Sequence, residues 1–364
     1  LGVNKFLFQI KILDTILSLP EKGDRKMHYF SGRLKTICQN ACKASLIILL
    51  VNVVYADEYR NDQVTLPFIS SSDHENRCTT LQEDVEYRFE KYFENYEFAS
   101  WNADRSENEI KEEFSKLNAM RRQIWFTNGN DQQNWREDFC PCQELMKEEL
   151  IRAPNCIAFD YNKINNFYNG SLIEENGIRF LALEAPMDCN LTRFFDVLLE
   201  TNASMLVCLT PAQDGIEQCT PYWEEHLNGN EQIVIPQSLN FPTVSPKSID
   251  YITTNEWNDC SPAMANVLLN LVLKAKSLYD PSRGPIAVQC IGGVARAGTF
   301  IAAYCLVHEI DAQLAAGIPV NELNISIERS VARLSLQRYY MVACAPQYLN
   351  LYRLVQAYLD IKQK

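Results

Sequence analysis

The chain is poor in histidine. Its 364 residues include four, His28, His74, His226 and His308, all far apart, which argues against a histidine-ligated metal. Cys140-Pro141-Cys142 has no second ligand pair nearby, so the spacing of a structural zinc site is missing too. A Lys/Arg stripe is also lacking. The net charge is −12, and an acidic chain without a basic face argues against nonspecific nucleic-acid binding. No apolar run is long enough for a stable membrane span: the run from Leu46 to Val54 falls well short of the ~20 residues a bilayer requires. No internal repeat is visible, which removes solenoids and propellers.

What is present is the composition of a globular protein. Hydrophobic residues make up 47% of the chain, with 17 Phe and 17 Tyr, enough to bury a sizeable core. Much of the negative charge lies between residues 57 and 118, where 16 acidic side chains face 7 basic ones; such runs are read as solvated helix faces. At the N-terminus, Met27 begins a basic segment (Arg33, Lys35, Lys43), followed by the apolar run and by Val54-Tyr55-Ala56. That layout fits a secretory signal peptide cleaved after Ala56, and an N-terminal helix or short anchor is the alternative. Four glycosylation triplets begin at Asn169, Asn190, Asn202 and Asn324. Eleven cysteines follow Ala56, an odd number, so at least one stays unpaired within the chain. The chain is secreted if Met27–Ala56 is a signal peptide and cytoplasmic otherwise.

The expected organisation has three parts: residues 1–56 with the possible signal peptide and upstream residues, an acidic linker and N-terminal helix over 57–104, and a large domain over 105–364. Val85, Phe89, Phe93 and Tyr96 recur at helical spacing, predicting a helix from Leu81 to Tyr96. Ser106 and Glu109 form a capping box ahead of Ile110, Phe114 and Leu117. Residues 127–144 read as a loop. Beyond them strands alternate with helices. Strands are predicted at Ile178–Leu183, Met205–Leu209, Ile249–Thr253 and Ile286–Cys290. Helices are predicted after Leu191, around Val267–Val272, from near Thr299 through Glu309, and over Pro346–Ile361. The pattern predicts an α/β domain with a single twisted sheet flanked by helices.

Residues 285–300 carry the chemistry. The strand reaches Cys290, five residues containing Gly292 and Gly293 follow, and Arg296 precedes an apolar helix. Amides at such a strand–loop–helix junction form an anion-binding nest, and the helix dipole adds positive charge. The same field favours the thiolate, the nucleophilic form. The planar fork of Arg296 suits two oxygens of a phosphate. This stretch predicts a phosphate-binding cysteine nucleophile.

The loop resembles the protein tyrosine phosphatase signature His-Cys-(any five)-Arg-Ser/Thr-Gly through Cys290, Gly293, Arg296 and Gly298. Similarities run in order over roughly residues 105–360. Glu109–Leu117 resembles the helix ahead of the family's phosphotyrosine-recognition loop, and Leu183-Glu184-Ala185-Pro186 resembles Thr-Gln-Gly-Pro. Gln218-Cys219-Thr220-Pro221-Tyr222-Trp223 resembles Lys-Cys-x-x-Tyr-Trp, Trp257-Asn258-Asp259 resembles Trp-Pro-Asp, and Gln347-Tyr348 resembles the C-terminal Gln-Tyr segment. The resemblance implies a phosphatase-like fold with one mixed sheet and a helical N-terminal extension. It implies that Cys290 is the nucleophile, Arg296 the oxyanion clamp and Asp259 the general acid. Ile291, Gly292, Gly293, Val294, Ala295 and Arg296, with Gln347, would bind the substrate, a phosphotyrosine protein or peptide. No metal or organic cofactor is implied.

Departures from the family pattern have physical consequences. Gln289 replaces a histidine and cannot become cationic. Ala295 replaces a glycine. Ala297 replaces a hydroxyl that assists departure of the thiolate, so hydrolysis of a phosphoenzyme should slow more than its formation. Ala343 stands where a water-positioning glutamine is expected, and Asn258 replaces a proline. Ala153 and Asn155 replace the tyrosine and aspartate of the recognition segment, with Tyr161 as an alternative wall. Retention of Cys290, Arg296 and Asp259 favours an enzyme with weakened turnover. The lost groups keep open a catalytically impaired domain that binds phosphorylated ligands or acts as a scaffold.

Overall fold

The computed structural model describes residues 80–127, 134–147, 151–210, 219–238, 240, 245–257, 261 and 263–363. The signal-peptide reading and most of the acidic linker therefore lie outside the described residues, as does Asn258-Asp259-Cys260. In chain order the helices are α1 (Leu81–Phe93), α2 (Glu107–Trp125), α3 (Gln143–Lys147), α4 (Leu191–Glu200), α5 (Trp223–His226), α6 (Ala265–Leu278), α7 (Ala295–Ala315), α8 (Ile327–Gln337) and α9 (Ala345–Lys362). The strands are β1 (Gly170–Glu175), β2 (Ile178–Glu184), β3 (Met205–Cys208), β4 (Gln232–Ile235), β5 (Lys247–Thr253) and β6 (Ile286–Cys290).

The six strands form one sheet in the order β1-β2-β6-β3-β5-β4. The four inner strands run parallel, and the outer pairs β1–β2 and β5–β4 are antiparallel. Parallel strands covered on both faces read as continuous apolar runs, which is why β3 and β6 stand out in the sequence. Alternation sorts their side chains between two cores. Phe180, Ala182, Val207, Ile286, Val288 and Cys290 join a core with α2 and α6–α9, whereas Leu181, Leu183, Leu206, Cys208 and Ala287 pack with α4 on the other face. Helix α7 is buried on nearly every side from Arg296 to Val307, as expected for a helix that is apolar all round. Each fully buried Leu or Phe there contributes about 1.5–3 kcal/mol.

Several elements differ from expectation. Helix α1 ends at Phe93 rather than Tyr96, and the stretch expected to be a loop contains a 3-10 turn, Glu137–Phe139, and α3. Strands β1 and β4 and helix α8 were not anticipated. β1 pairs with β2 through the two-residue turn Asn176-Gly177, both at positive φ (53° and 74°), the Asn-Gly hairpin signal. The Ser326 hydroxyl caps α8 by accepting the Arg329 amide. Both capping-box bonds of Ser106 and Glu109 form as expected. Helix α1 is tied to the sheet and to α8 through Arg333, which pairs with Glu86 and Glu175 at 2.7 Å. Of the glycosylation triplets, Asn169 and Asn190 are buried, while Asn202 and Asn324 are exposed. Among the described residues no helix is long and apolar enough to cross a membrane.

Candidate active site

β6 is a central strand, flanked by β2 and β3, and it delivers Cys290 to the carboxyl end of the sheet. The chain bends over Ile291–Val294 and enters α7 at Ala295, four residues earlier than the expected onset near Thr299. Arg296 consequently lies in the first helical turn. The early onset follows from Gly293, whose φ of +69° turns the chain sharply. A Cβ at this position would stand 2.6 Å from the Leu183 carbonyl carbon, so the close approach to β2 admits only glycine. Gly298 is constrained in the same way, by the backbone of Met341 and Val342 within 3 Å of where its Cβ would lie. That neighbouring segment holds Tyr340 and Val342 at φ of 61° and 57°, each a left-handed backbone costing about 1–2 kcal/mol.

The bend brings most of the expected site residues together. Cys290 and Arg296 are 2% and 1% exposed. Gly292, Gly293 and Val294 are buried between them, with Ile291 and Ala295 half-buried. The Arg296 guanidinium donates from Nη1 to the Trp257 carbonyl oxygen at 3.2 Å, and the Trp257 indole donates to the Ser261 carbonyl at 2.9 Å. The start of the Trp257-Asn258-Asp259 segment is therefore fastened to the anion loop; Asp259 itself lies outside the described residues. Gln347 is buried in the first turn of α9, and its Oε1 accepts the Ala343 amide at 3.2 Å. Tyr161 is committed elsewhere: its hydroxyl donates to the Leu336 carbonyl at 2.5 Å, and the Arg88 guanidinium lies 4.0 Å from its ring centroid.

The altered positions are integrated rather than vacant. Gln289 points to the face opposite Cys290, fully buried. Its Nε2 donates to Thr210 Oγ1 at 2.7 Å and to Cys219 Sγ at 3.1 Å, and its Oε1 accepts the Tyr222 hydroxyl at 2.6 Å. A neutral amide satisfies both polarities there, as a buried polar group requires. Ala297 is fully buried, and the nearby Thr299 hydroxyl is bonded back to the Ala295 carbonyl at 2.8 Å. Ala153 lies over the loop: a Cβ on Gly292 would meet the Ala153 Cβ at 3.2 Å. Among the described residues, Cys142, Glu144 and Asp160 form a group of metal-capable donors within 4.8 Å of one another. Lys163 already pairs with Asp160 at 2.5 Å and the Cys142 thiol with Glu144 at 3.3 Å.

One site group was missed by sequence reasoning. Glu184 ends β2 directly opposite Cys290 in the parallel register and is fully buried. Burial pushes its carboxyl up to about 7 from the usual 4.5, against the hydrogen bonds from Asn169 and from the backbone of Arg152 and Ala153. Below pH 4.5 both folded and unfolded chains hold this proton. Between 4.5 and about 7 only the folded chain holds it, so this group makes stability fall as pH rises through that window and leaves it level above. The slope approaches about 1.4 kcal/mol per pH unit at its steepest. Glu184→Gln should remove it. Denaturant titrations at successive pH values should show the variant gaining on the wild type up to neutrality; parallel curves would refute the assignment.

Comparison with known proteins agrees with this geometry. The family model described as protein-tyrosine phosphatase matches residues 147–235 and 237–357. Tyrosine-protein phosphatase 3 of Dictyostelium discoideum is 25% identical over 231 residues, covering 56% of this chain and 23% of that protein. Tyrosine-protein phosphatase non-receptor type 7 of Homo sapiens is 29% identical over 214 residues, covering 52% of this chain and 57% of the human protein. The chain thus spans less than two thirds of the length of either relative. Among solved structures, the protein tyrosine phosphatase TbPTP1 of Trypanosoma brucei shares the fold with a TM-score of 0.54 at 19% identity, over 70% of this chain and 92% of that one. With the family model matched over more than half its length and the mixed sheet placing Cys290 and Arg296 at the two ends of one buried bend, the chain belongs to the protein tyrosine phosphatase family.

Proposed function

We propose that this chain hydrolyses phosphate monoesters, with phosphotyrosine in proteins or peptides as the substrate class, through a phosphocysteine intermediate. The observation that carries the reading is the joint placement of Cys290 and Arg296 on one buried bend, with Arg296 fastened to the carbonyl of Trp257. In the first step the Cys290 thiolate attacks phosphorus and the bond to the phenolic oxygen breaks. Asp259 gives the leaving phenolate its proton. Arg296 and the amides of residues 291–296 hold the equatorial oxygens as charge spreads over them. In the second step Asp259, now ionised, accepts a proton from water as the water oxygen attacks phosphorus. The sulfur then leaves as thiolate and inorganic phosphate is released.

The second step is the weak one in this reading. Position 297 carries no hydroxyl, and the Thr299 hydroxyl is engaged with Ala295, so the departing sulfur lacks that donor. One such hydrogen bond to a charged group is worth about 1.5 kcal/mol, or roughly tenfold in rate. Ala297→Ser should therefore raise steady-state turnover of an aryl phosphate about tenfold while leaving the first, phenol-releasing turnover nearly unchanged. Stopped-flow measurement separates the two phases, and an unchanged steady-state rate would remove the hydroxyl from the account. The test of the function itself is hydrolysis of an aryl phosphate and of a phosphotyrosine peptide by the purified full chain. Tight phosphopeptide binding by folded protein without any phosphate release would leave a binding domain in place of the enzyme.

A further inference from the structure

The loop at 151–158, which overlies Gly292, is held to the anion loop by a buried polar cluster outside the catalytic residues. Glu184 accepts the Arg152 amide on Oε1 at 3.3 Å and the Ala153 amide on Oε2 at 3.3 Å. Its Oε2 also accepts Asn169 Nδ2 at 3.0 Å. Asn169 in turn donates to the Cys156 carbonyl at 3.2 Å and accepts the Ala158 amide at 3.1 Å. Arg338, at the end of α8 and fully buried, donates to the carbonyls of Cys156 and Gly292 at 3.2 and 3.1 Å. It also donates to Ser171 Oγ at 2.8 Å. The Gly292 contact reaches the anion loop itself, and the others tie the 151–158 loop to Glu184 at the end of β2, to Asn169 and, through Arg338, to Ser171 of β1.

We propose that Glu184 is a positioning residue that fastens the 151–158 loop over the anion site and takes up a proton when a dianion binds there. The coupling is electrostatic. Glu184 stands opposite Cys290 in the register of β2 and β6, without solvent to screen it. A dianion arriving on the amides of residues 291–296 places like charge close to this carboxylate and favours its neutral form. The groups that face it are Arg338 from α8, Arg152 and Cys156 from the overlying loop, Cys290 from β6 and Tyr168 from the segment before β1. Arg338 and Arg152 are the cations among them. The Arg152 guanidinium is engaged with the carbonyls of Ala185 and Pro186, and Arg338 holds the carbonyls named above. Burial already leaves the Glu184 carboxyl half-protonated near neutrality, so a small added field is enough to complete the protonation. By linkage, the protonated form binds the dianion more tightly.

This inference rests on the anion-binding reading of the loop but not on turnover, and its test is made without catalysis. Tungstate binding to the full chain carrying Cys290→Ser is measured calorimetrically near neutral pH, in two buffers of different ionisation heat. The serine background removes the thiol as a proton acceptor. Uptake of about half a proton per tungstate is expected, and addition of Glu184→Gln should abolish it. Glu184→Asp keeps the charge and shortens the reach; it should retain the uptake while binding tungstate about tenfold more weakly. Equal proton uptake with and without Glu184→Gln would overturn the proposal, as would undiminished affinity in Glu184→Asp. Protein that hydrolyses aryl phosphates but shows no Glu184-dependent uptake defeats this proposal alone. Protein that shows the uptake without hydrolysis defeats the phosphatase reading alone.

Discussion

Cys290→Ser is expected to lower aryl phosphate hydrolysis by about ten-thousand-fold or more, with the fold and anion binding retained. Cys290 is the last residue of a central strand, held from both sides by β2 and β3. A serine of nearly the same volume fits that position without disturbing the ladder. What it cannot supply is the nucleophile: an alcohol is almost wholly protonated at neutral pH, whereas the thiol yields a thiolate far more readily. The strand neighbour Gln289 faces the opposite core and is occupied by Thr210, Cys219 and Tyr222. The measurement is kcat beside the affinity for tungstate. A serine variant that turned over within tenfold of the wild type would show that the phosphoryl group never visits this sulfur.

Arg296→Lys is expected to reduce kcat/KM by about a hundred- to a thousand-fold, the range for removing one preorganised donor set from a developing oxyanion. Lysine keeps the charge but loses the planar pair of donors that grips two oxygens. The change reaches further here, because Arg296 also donates to the carbonyl of Trp257. The segment that leads to Asp259 is fastened by the same guanidinium that would hold the phosphoryl group. Loss of the clamp should therefore weaken the acid step as well, and substrates with poor leaving groups should suffer more than activated aryl phosphates. Equal losses on both substrate types would confine Arg296 to anion binding.

How much of this was legible beforehand depended on the range of the interactions. β6 and β3 were readable because buried parallel strands are apolar on both faces, and α9 because Leu349, Tyr352, Val355 and Tyr358 repeat along one stripe. The edge strands β1 and β4 expose part of one face (Leu172 and Glu174, Gln232 and Val234 are half-buried). Their patterns are correspondingly shorter and more mixed, although Asn176-Gly177 would have revealed the first. At the site, Cys290 and Arg296 were readable because they share one short segment. Glu184 was not, because its significance depends on partners 15 to 32 residues away. Arg338 reaches back 46 residues to Gly292 and 167 to Ser171, and no local pattern encodes such contacts. By sequence alone, Gln289 is simply the loss of a cation. The structure adds that it is a fully satisfied hydrogen-bond hub between β6 and the segment around Tyr222.

In the proposed reaction, phosphoryl transfer passes through Cys290. Mixing the purified chain with an aryl phosphate and quenching with acid within the first turnover should trap one phosphoryl group per chain. Peptide mass analysis should locate it on Cys290, together with a burst of phenol equal to the protein present, and Ala297→Ser should shorten the life of the adduct. Catalytic release of phenol with no adduct at Cys290 under any quench time, or with the phosphoryl group on another residue, would contradict the account.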